Sequence, residues 1–577
     1  MFFGFNNLKK RRDKKREEID PNDIFLDSSN LPNFDTYQFE GQLEKTITRK
    51  TIVFLGCFFG VILILYIFKI ENLQLNQGGY FLNQGENNRL EHSVIFSARG
   101  IIYDRNGIEL ARNSAEKEYG QEFFKREYSE YKGLAHILGY VSYPLMDKNG
   151  NYYQDKYVGK SGMEEFFNEK MSGANGLKIV EKDALSNIKS ESSIKSPISG
   201  ENITLSIDAR IQDVLYGFIA DLAQEVGFNG GASVVMDVET GEILAMVSYP
   251  EYDLKTMSDG KDNAEINKFL SDKNKPFLNR ATSGLYTPGS IVKLFLALGA
   301  LNEAIIDPYK KIFSSGAIYV PNPYFPGEKS IFKDNKAHGW VDMTDALAVS
   351  SNVYFYEIGG GFEDQKGLGI ENINKYFKLF GFSEESGIEA FVEERGIIPN
   401  PEWKAKMFNG DVWRIGDTYH TAIGQYGFQI TLLQVARAVG AIANDGKLFR
   451  PTIVKGDGEK DVIADYKNID IKKEYFQAVK DGMRQAVLRG TAKGLNVPFV
   501  EVSAKTGTAE RGINNEKVNA WVVGFYPSDK PKYAFATIME EGPRDNQIGG
   551  LYIMRQLLEW MNVNAPEYLF CSVNYPS

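Results

Sequence analysis

Ser290 and Lys293 stand three residues apart, behind a Thr287-Pro288-Gly289 turn and at the head of the apolar run Ile291-Val292-Lys293-Leu294-Phe295-Leu296-Ala297-Leu298. Pro-Gly stops whatever precedes it and the run reads as a buried helix, so Ser290 falls at a helix N-terminus. A hydroxyl there meets free backbone N–H groups and the positive end of the helix dipole. Lys293 lies one turn further along the same face and can reach that hydroxyl. Together they are the parts of a serine nucleophile with a lysine base. The spacing alone decides nothing. It recurs at Ser114–Lys117, Ser129–Lys132, Ser186–Lys189, Ser192–Lys195, Ser258–Lys261 and Ser330–Lys333, and serine is an ordinary N-cap. The Pro-Gly entry and the apolar run that would bury the lysine set Ser290 apart.

Two further stretches keep it company. Ser350-Ser351-Asn352 follows a helical segment, Met343–Val349, and Lys505-Thr506-Gly507-Thr508 ends a strand read over Phe499–Ala504. Ser-x-Asn is weak alone, since Ser28–Asn30 and Ser572–Asn574 match it and a helix cap explains it. Lys-Thr-Gly occurs once, and by itself is a strand meeting a turn. The three in this order form a recognised catalytic triplet.

The elements that must hold these residues can be read in outline. The chain has 577 residues, 43% hydrophobic and 25% charged, ordinary for a globular protein of more than one domain. A net charge of −10 argues against nucleic acid as a main partner. Residues 1–50 read as a disordered cytoplasmic tail, with a basic run from Lys9 to Arg16 suited to an anionic membrane surface. Residues 51–68 carry no charge and read as a transmembrane anchor. Arg49 and Lys50 flank the anchor on its N-terminal side, which predicts a cytoplasmic N-terminus and an exported remainder. No small-x-small site follows it, so an uncleaved anchor is expected rather than a signal peptide. Cys57 lies in this run and Cys571 near the C-terminus, which makes a disulfide between them implausible. No cysteine–histidine cluster has metal-ligand spacing, and Asp334 with His338 reads as a surface pair.

Asp104-Arg105-Asn106-Gly107 between apolar segments predicts a hairpin. Residues 112–200 read as a mixed spacer or docking module, with Ser186–Ser199 as a loop or hairpin edge. Beyond Asn202, Asp208 should cap a helix over Ala209–Ala223. Ala232–Ser248 should form two strands joined at Glu239-Thr240-Gly241-Glu242. Ala520–Phe525 and Tyr533–Met539 are further strands, and Leu551–Met561 a closing helix. Strands from both ends of the 201–565 region around a helical middle predict an α+β fold, one antiparallel sheet flanked by helices. Residues 566–577 remain as a tail.

With these residues in view the sequence resembles the class B penicillin-binding proteins, membrane-anchored serine D,D-transpeptidases that cross-link peptidoglycan. Arg99–Ala111 looks like that family's N-terminal pedestal motif and Gly159–Glu164 like its linker motif. Gly396–Lys404, Trp413–Thr418 and Ile423-Gly424-Gln425 look like the elongation subclass, penicillin-binding protein 2; division-type relatives usually lack the Gly-Asp-Thr and Gly-Gln pairing. The resemblance implies an elongated pedestal over 69–200, a transpeptidase domain over 201–565, and periplasmic catalysis from the inner (cytoplasmic) membrane. It implies peptidoglycan stem peptides as substrates and β-lactams as acylating inhibitors. It also implies a polytopic SEDS-type glycosyltransferase and elongation-complex proteins as partners, and no cofactor.

In the implied reaction Ser290 attacks the D-Ala–D-Ala carbonyl. With no histidine near any motif, Lys293 is the candidate base, kept neutral by burial and by the charge of Lys505. The resemblance gives Ser350 the proton relay to the leaving amine and Asn352 the holding of Lys293 and substrate. Backbone N–H groups of Ser290 and Thr508 would form the oxyanion hole, and Lys505, Thr506 and Thr508 would bind the terminal carboxylate. Gly507 would let its strand approach closely. Some relatives of the subclass hold a zinc that depends on a cysteine; with none between Cys57 and Cys571, it is not carried over.

The pattern departs from the family in places. Tyr426 stands where a glycine is usual, Thr431–Gln434 lacks the usual proline, and the span from Ala111 to Gly159 is short, which implies a reduced pedestal head. Other enzymes share the triplet. A β-lactamase needs a base for its deacylating water, and no glutamate stands in an evident position. A D,D-carboxypeptidase differs only in using water as acceptor. A non-enzymatic β-lactam sensor needs a cytoplasmic signalling domain, and residues 1–50 have no core to be one.

Overall fold

The computed structural model describes residues 48–82, 90–115, 122–148, 152–182, 188–322, 324–325, 327–456, 465–512, 516–546 and 548–570. Expectations for residues 1–47, including the basic run, and for Cys571 lie outside them. The chain divides into two compact units, 1–89 and 90–577.

In the first unit the apolar run is a helix, Arg49–Glu71, continued by one π-helical turn over Asn72–Asn76. None of its side chains is buried. The helical stretch Arg49–Asn76 counts 28 residues, about 42 Å at 1.5 Å per residue, against an apolar bilayer core of about 30 Å. It is, among the described residues, the one helix long and apolar enough to cross a membrane.

The second unit is built on five antiparallel strands: β1 Gly230–Asp237, β2 Ile243–Tyr249, β3 Ser503–Arg511, β4 Lys517–Tyr526 and β5 Tyr533–Pro543, in the order β2-β1-β5-β4-β3. Both faces are buried, because consecutive residues of a strand point opposite ways. Val234, Met236, Trp521, Val523, Ala534 and Ala536 join one core, with helices Lys293–Asn302, Asn352–Gly360 and Leu432–Ala443. Val235, Val522, Phe535 and Met539 join the other, with helices Ala209–Val226 and Gly550–Asn564. Helix Ala209–Val226 packs there because Ile211, Leu215, Ile219 and Leu222 recur every three or four residues on one face. Asp208 caps it, accepting from the backbone N–H of Arg210 and Ile211. The expected antiparallel sheet flanked by helices is therefore present.

Two expectations need correction. Lys505-Thr506-Gly507-Thr508 does not end a strand; it lies inside β3, which starts at Ser503 and pairs with β4 as far as Arg511↔Lys517. Gly507 keeps strand geometry there and leads into no turn. The helical middle also holds two small two-stranded sheets that sequence periodicity did not reveal. Ile312–Ser314 pairs with Gly339–Val341, and Ala317–Pro321 with Lys329–Lys333.

Ahead of helix Ala209–Val226 the same unit carries smaller sheets. The predicted hairpin pairs Ile102–Tyr103 with Glu109–Asn113. Ile188–Lys195 is an outer strand on Gly176–Lys182, so the stretch read as a loop or hairpin edge lies at a sheet edge over these described residues. Asn106 of the hairpin donates to Asp208 Oδ2 (2.8 Å), tying this region to the cap of helix Ala209–Val226.

The two stretches quoted for the pedestal and the linker meet at one buried carboxylate. Glu164 accepts from Arg99 Nε (2.6 Å) and Arg126 Nε (2.7 Å), and all three side chains are fully buried. Breaking such a cluster strands charge in the interior, at a cost of about 3–5 kcal/mol. Glu164→Ala should therefore lower unfolding stability by that order, read as a shift in the denaturant midpoint at unchanged slope.

Candidate active site

Ser290 sits in a 3₁₀ turn, Gly289–Val292, which feeds directly into helix Lys293–Asn302. Three anchors fix that turn. Trp521 on β4 donates its indole N–H to Thr287 O (3.0 Å), Gly289 N–H donates to Gly424 O (2.9 Å), and Tyr286 and Ile430 exchange backbone hydrogen bonds. Gly289 has φ +59°, and a Cβ there would come 2.6 Å from Thr508 O. A Cβ on Gly507 would lie 2.9 Å from Pro288 O and from Ile291 Cγ2. Two glycines thus let β3 press against the serine turn, and the backbone of Thr508 lies beside the residue that precedes Ser290. Gly507→Ala must push these apart. It should slow acylation and cost about 1–3 kcal/mol of stability, measured by penicillin acylation rate and denaturation together.

Lys293 is the first residue of its helix, and its side chain is completely buried. It donates to Asn352 Oδ1 (2.6 Å) and Ser350 O (2.9 Å), with Ser350 Oγ at 3.4 Å. Its hydrogen bonds go to the Ser350–Asn352 turn rather than to the Ser290 hydroxyl. Lys505, also fully buried, donates to Ser350 Oγ (2.8 Å) and Thr506 O (2.8 Å). The Ser350 hydroxyl therefore lies between two amines. Ser350 itself ends helix Met343–Val349 in the left-handed conformation (φ 59°, ψ 42°), a strain that functional positions retain. Ser290, Asn352 and Thr506 are half-buried and Thr508 is exposed, so the opening lies on their side, with the two lysines and Ser350 beneath.

Burial pushes the Lys293 amine down to about 7, and the Asp334 carboxylate pulls it back up. Burial, then repulsion from Lys293, holds Lys505 well below the usual lysine range. Desolvation therefore comes first at both lysines, and each buried ammonium disfavours the other. At neutral pH the pair carries fewer than two protons, and an amine is available to accept one.

Asp334 and His338 are not a surface pair. The Asp334 side chain has no exposed area and His338 only 4%, with His338 Nε2 3.8 Å from Asp334 Oδ1. Asp334 accepts from Ser351 Oγ (2.6 Å) and from the backbone N–H of Asn352 (2.8 Å) and Val353 (3.1 Å). The pairing of Ile312–Ser314 with Gly339–Val341, which periodicity missed, encloses Asp334 and brings it under the turn. This donor set does not fit the zinc of some relatives: the Asp334 oxygens are taken up by N–H and O–H donors, and no cysteine stands here. Among the described residues no group of three or more His, Cys, Asp or Glu could hold a metal.

The stretches quoted for the elongation subclass meet one another, and one of them holds the serine turn through Gly424. Lys404 Nζ reaches Asp417 Oδ2 (2.6 Å), and Trp413 Nε1 donates to Thr418 Oγ1 (2.8 Å). The chain then runs to Gly424, which holds Gly289. Tyr426, at φ 65°, stacks on Phe408 and meets Trp403 and Trp413 edge-on.

Comparison with known proteins agrees with this architecture. Residues 231–558 match the penicillin-binding protein transpeptidase domain, and residues 121–205 the penicillin-binding protein dimerisation domain. The peptidoglycan D,D-transpeptidase MrdA of Salmonella typhimurium is 28% identical, over 89% of this chain and 96% of its own. The penicillin-binding protein 2 of Pseudomonas aeruginosa, solved with WCK 5153, superposes with TM-score 0.69 at 29% identity, covering 84% of this chain and 100% of that one. The penicillin-binding protein 2 of Helicobacter pylori, solved in complex with MreC, gives TM-score 0.67 at 28% identity over 83% and 100%. The chain belongs to the penicillin-binding protein transpeptidase family, as a class B member of the penicillin-binding protein 2 type.

Proposed function

We propose that this chain is a peptidoglycan D,D-transpeptidase working through an acyl-enzyme on Ser290 during cell-wall elongation. The observation that carries the reading is the hydrogen-bonded cluster of buried Lys293, Ser350 and Lys505 with half-buried Asn352, next to the serine turn. Ser290 Oγ forms a bond to the carbonyl carbon of the penultimate D-Ala of a stem peptide. Its proton passes to neutral Lys293, and Ser350 relays a proton to the departing nitrogen as the C–N bond breaks and D-Ala leaves. The acceptor amine of a neighbouring strand then attacks the ester, forming the cross-link and returning the serine. Backbone N–H groups of Ser290 and Thr508 take the oxyanion, each worth roughly 3 kcal/mol in the transition state. Lys505, Thr506 and Thr508 hold the terminal carboxylate, while Asn352 holds Lys293 and the substrate backbone. β-Lactams enter by the same route and stay on Ser290.

The domain division that goes with this function is a cytoplasmic tail over 1–50, an anchor over 51–68, a pedestal over 69–200 and the catalytic domain over 201–565. The basic flank, Arg49 and Lys50, supports a cytoplasmic N-terminus and a periplasmic catalytic domain. A SEDS-type glycosyltransferase that supplies nascent strands is the polymerase partner. Elongation proteins are further partners, and the MreC complex of the Helicobacter pylori relative supports that choice. The test is reconstitution of the full chain with a partner glycosyltransferase and lipid-linked precursor. Penicillin-sensitive cross-linked dimers are expected. Trimmed monomers alone would replace transpeptidation by carboxypeptidation.

A further inference from the structure

One buried carboxylate has no part in the acyl transfer above, yet it holds Ser351 and Asn352 in the turn that faces Lys293. Asp334 follows strand Lys329–Lys333, and its side chain is sealed from solvent. Oδ1 accepts from the backbone N–H of Asn335 (2.8 Å) and Asn352 (2.8 Å). Oδ2 accepts from Ser314 Oγ (3.0 Å), Ser351 Oγ (2.6 Å) and Val353 N–H (3.1 Å). Asn352 and Val353 open helix Asn352–Gly360, for which Ser351 is the N-cap. A carboxylate there satisfies helix N–H groups that would otherwise be orphaned and meets the positive end of the dipole. Lys333 next door accepts from Asn352 Nδ2 through its backbone oxygen (3.3 Å). Asn352 is therefore gripped at its backbone and its side chain by two consecutive residues, and its other side-chain polar atom, Oδ1, accepts from Lys293 Nζ at 2.6 Å.

We propose that Asp334 is the positioning residue of the acylation step, clamping Ser351 and Asn352 so that the Ser350–Asn352 turn is held in place to receive Lys293. The inference rests on the acyl-transfer reading of the site and goes one layer beneath it. Burial works to protonate Asp334, and the hydrogen bonds from Ser351, Asn352, Val353 and Asn335 outweigh it, so the carboxyl titrates below its ordinary range and stays charged near neutrality. That charge is the force opposing desolvation at Lys293. The other groups facing the pair are Lys505 from β3, the ring of Phe355 5.4 Å from Lys293 Nζ, Tyr356, and His338. Burial lowers the pKa of His338, which leaves the ring neutral, and Tyr356 is pushed the other way, so neither supplies a compensating charge near pH 7.

The sign follows directly. Removing the negative charge makes protonated Lys293 less favourable, so its titration moves to lower pH. An amide at 334 also cannot serve five donors: the serine hydroxyls can rotate to accept, but the Val353 N–H cannot. The full-length chain in detergent is acylated with fluorescent penicillin across pH values on both sides of neutrality, as wild type, Asp334→Asn and Asp334→Glu. Asp334→Asn is expected to slow plateau acylation roughly ten- to a hundredfold, as misplaced catalytic groups do, with the rising limb of the profile displaced to lower pH. Asp334→Glu keeps the charge but not the fit, and should be slow with its limb at the wild-type pH. A merely structural aspartate would slow both without moving either limb. That result, or Asp334→Asn matching wild type, overturns the proposal. Should Asp334→Asn not fold, Asp334→Glu and Ser314→Ala carry the test: acylation slowed at an unchanged denaturation midpoint upholds the clamp, and wild-type rates, or a rate loss that only follows a lowered midpoint, overturn it. If wild type itself takes no penicillin, it is the acyl-transfer reading that fails.

Discussion

Replacing Ser290 by alanine leaves a folded protein that forms no covalent adduct with a fluorescent penicillin. The expectation is all-or-none, because the step is bond formation at Oγ and no other group can supply that atom. Ser290 is half-buried, and its turn is held by the backbone of Gly424 and by the Trp521 indole rather than by its own side chain. Removing one hydroxyl there should change stability by well under about 1 kcal/mol. A labelling loss in a protein with an unchanged denaturation midpoint would therefore report chemistry and not unfolding. Undiminished labelling would remove Ser290 from its role.

Lys293→Met is the second large effect, expected to slow acylation by about 10²–10⁴, the range for a lost general base. Methionine fills much of the same buried volume without a charge, so the helix Lys293–Asn302 should persist. Its cost is the loss of the amine held between Ser350 and Asn352. The pH dependence carries the same information. Burial lowers the Lys293 pKa to about 7, so below that pH the amine is protonated and cannot take the serine proton. Acylation should rise with pH through about 7 and level off above it. The variant should lose that limb along with the rate. A limb that survives in Lys293→Met would assign the titration to another group, with Lys505 the first to examine.

The triplet was legible because its residue types are rare in combination, not because any one motif is informative. Ser290 was one Ser-x-x-Lys match among seven, and only its apolar sequel distinguished it. The sheet was legible because β1, β2, β4 and β5, buried on both faces, run as short apolar stretches between turn residues. What sequence could not give was anything decided by long-range packing. The strand β3 was cut short at Ala504, since glycine in a sequence reads as a turn, whereas here Gly507 is the point of closest approach to Pro288. Asp334 was visible as a residue and mistaken for surface, because four of its five donors arrive from two distant stretches, Ser314 and Ser351–Val353. The same holds for Lys404 and Asp417, which no local pattern joins. The electrostatics of Lys293 were legible in direction only; that burial leads and Asp334 opposes it needed the folded chain.

The central claim, an acyl-enzyme on Ser290, is tested most directly by peptide mapping of the full-length chain after reaction with a penicillin. The account predicts one adduct per chain, carried on the peptide that contains Ser290, absent from Ser290→Ala and slow to form in Lys293→Met. An adduct mapped to another residue, or a chain that stays unmodified while it binds the drug, would contradict it.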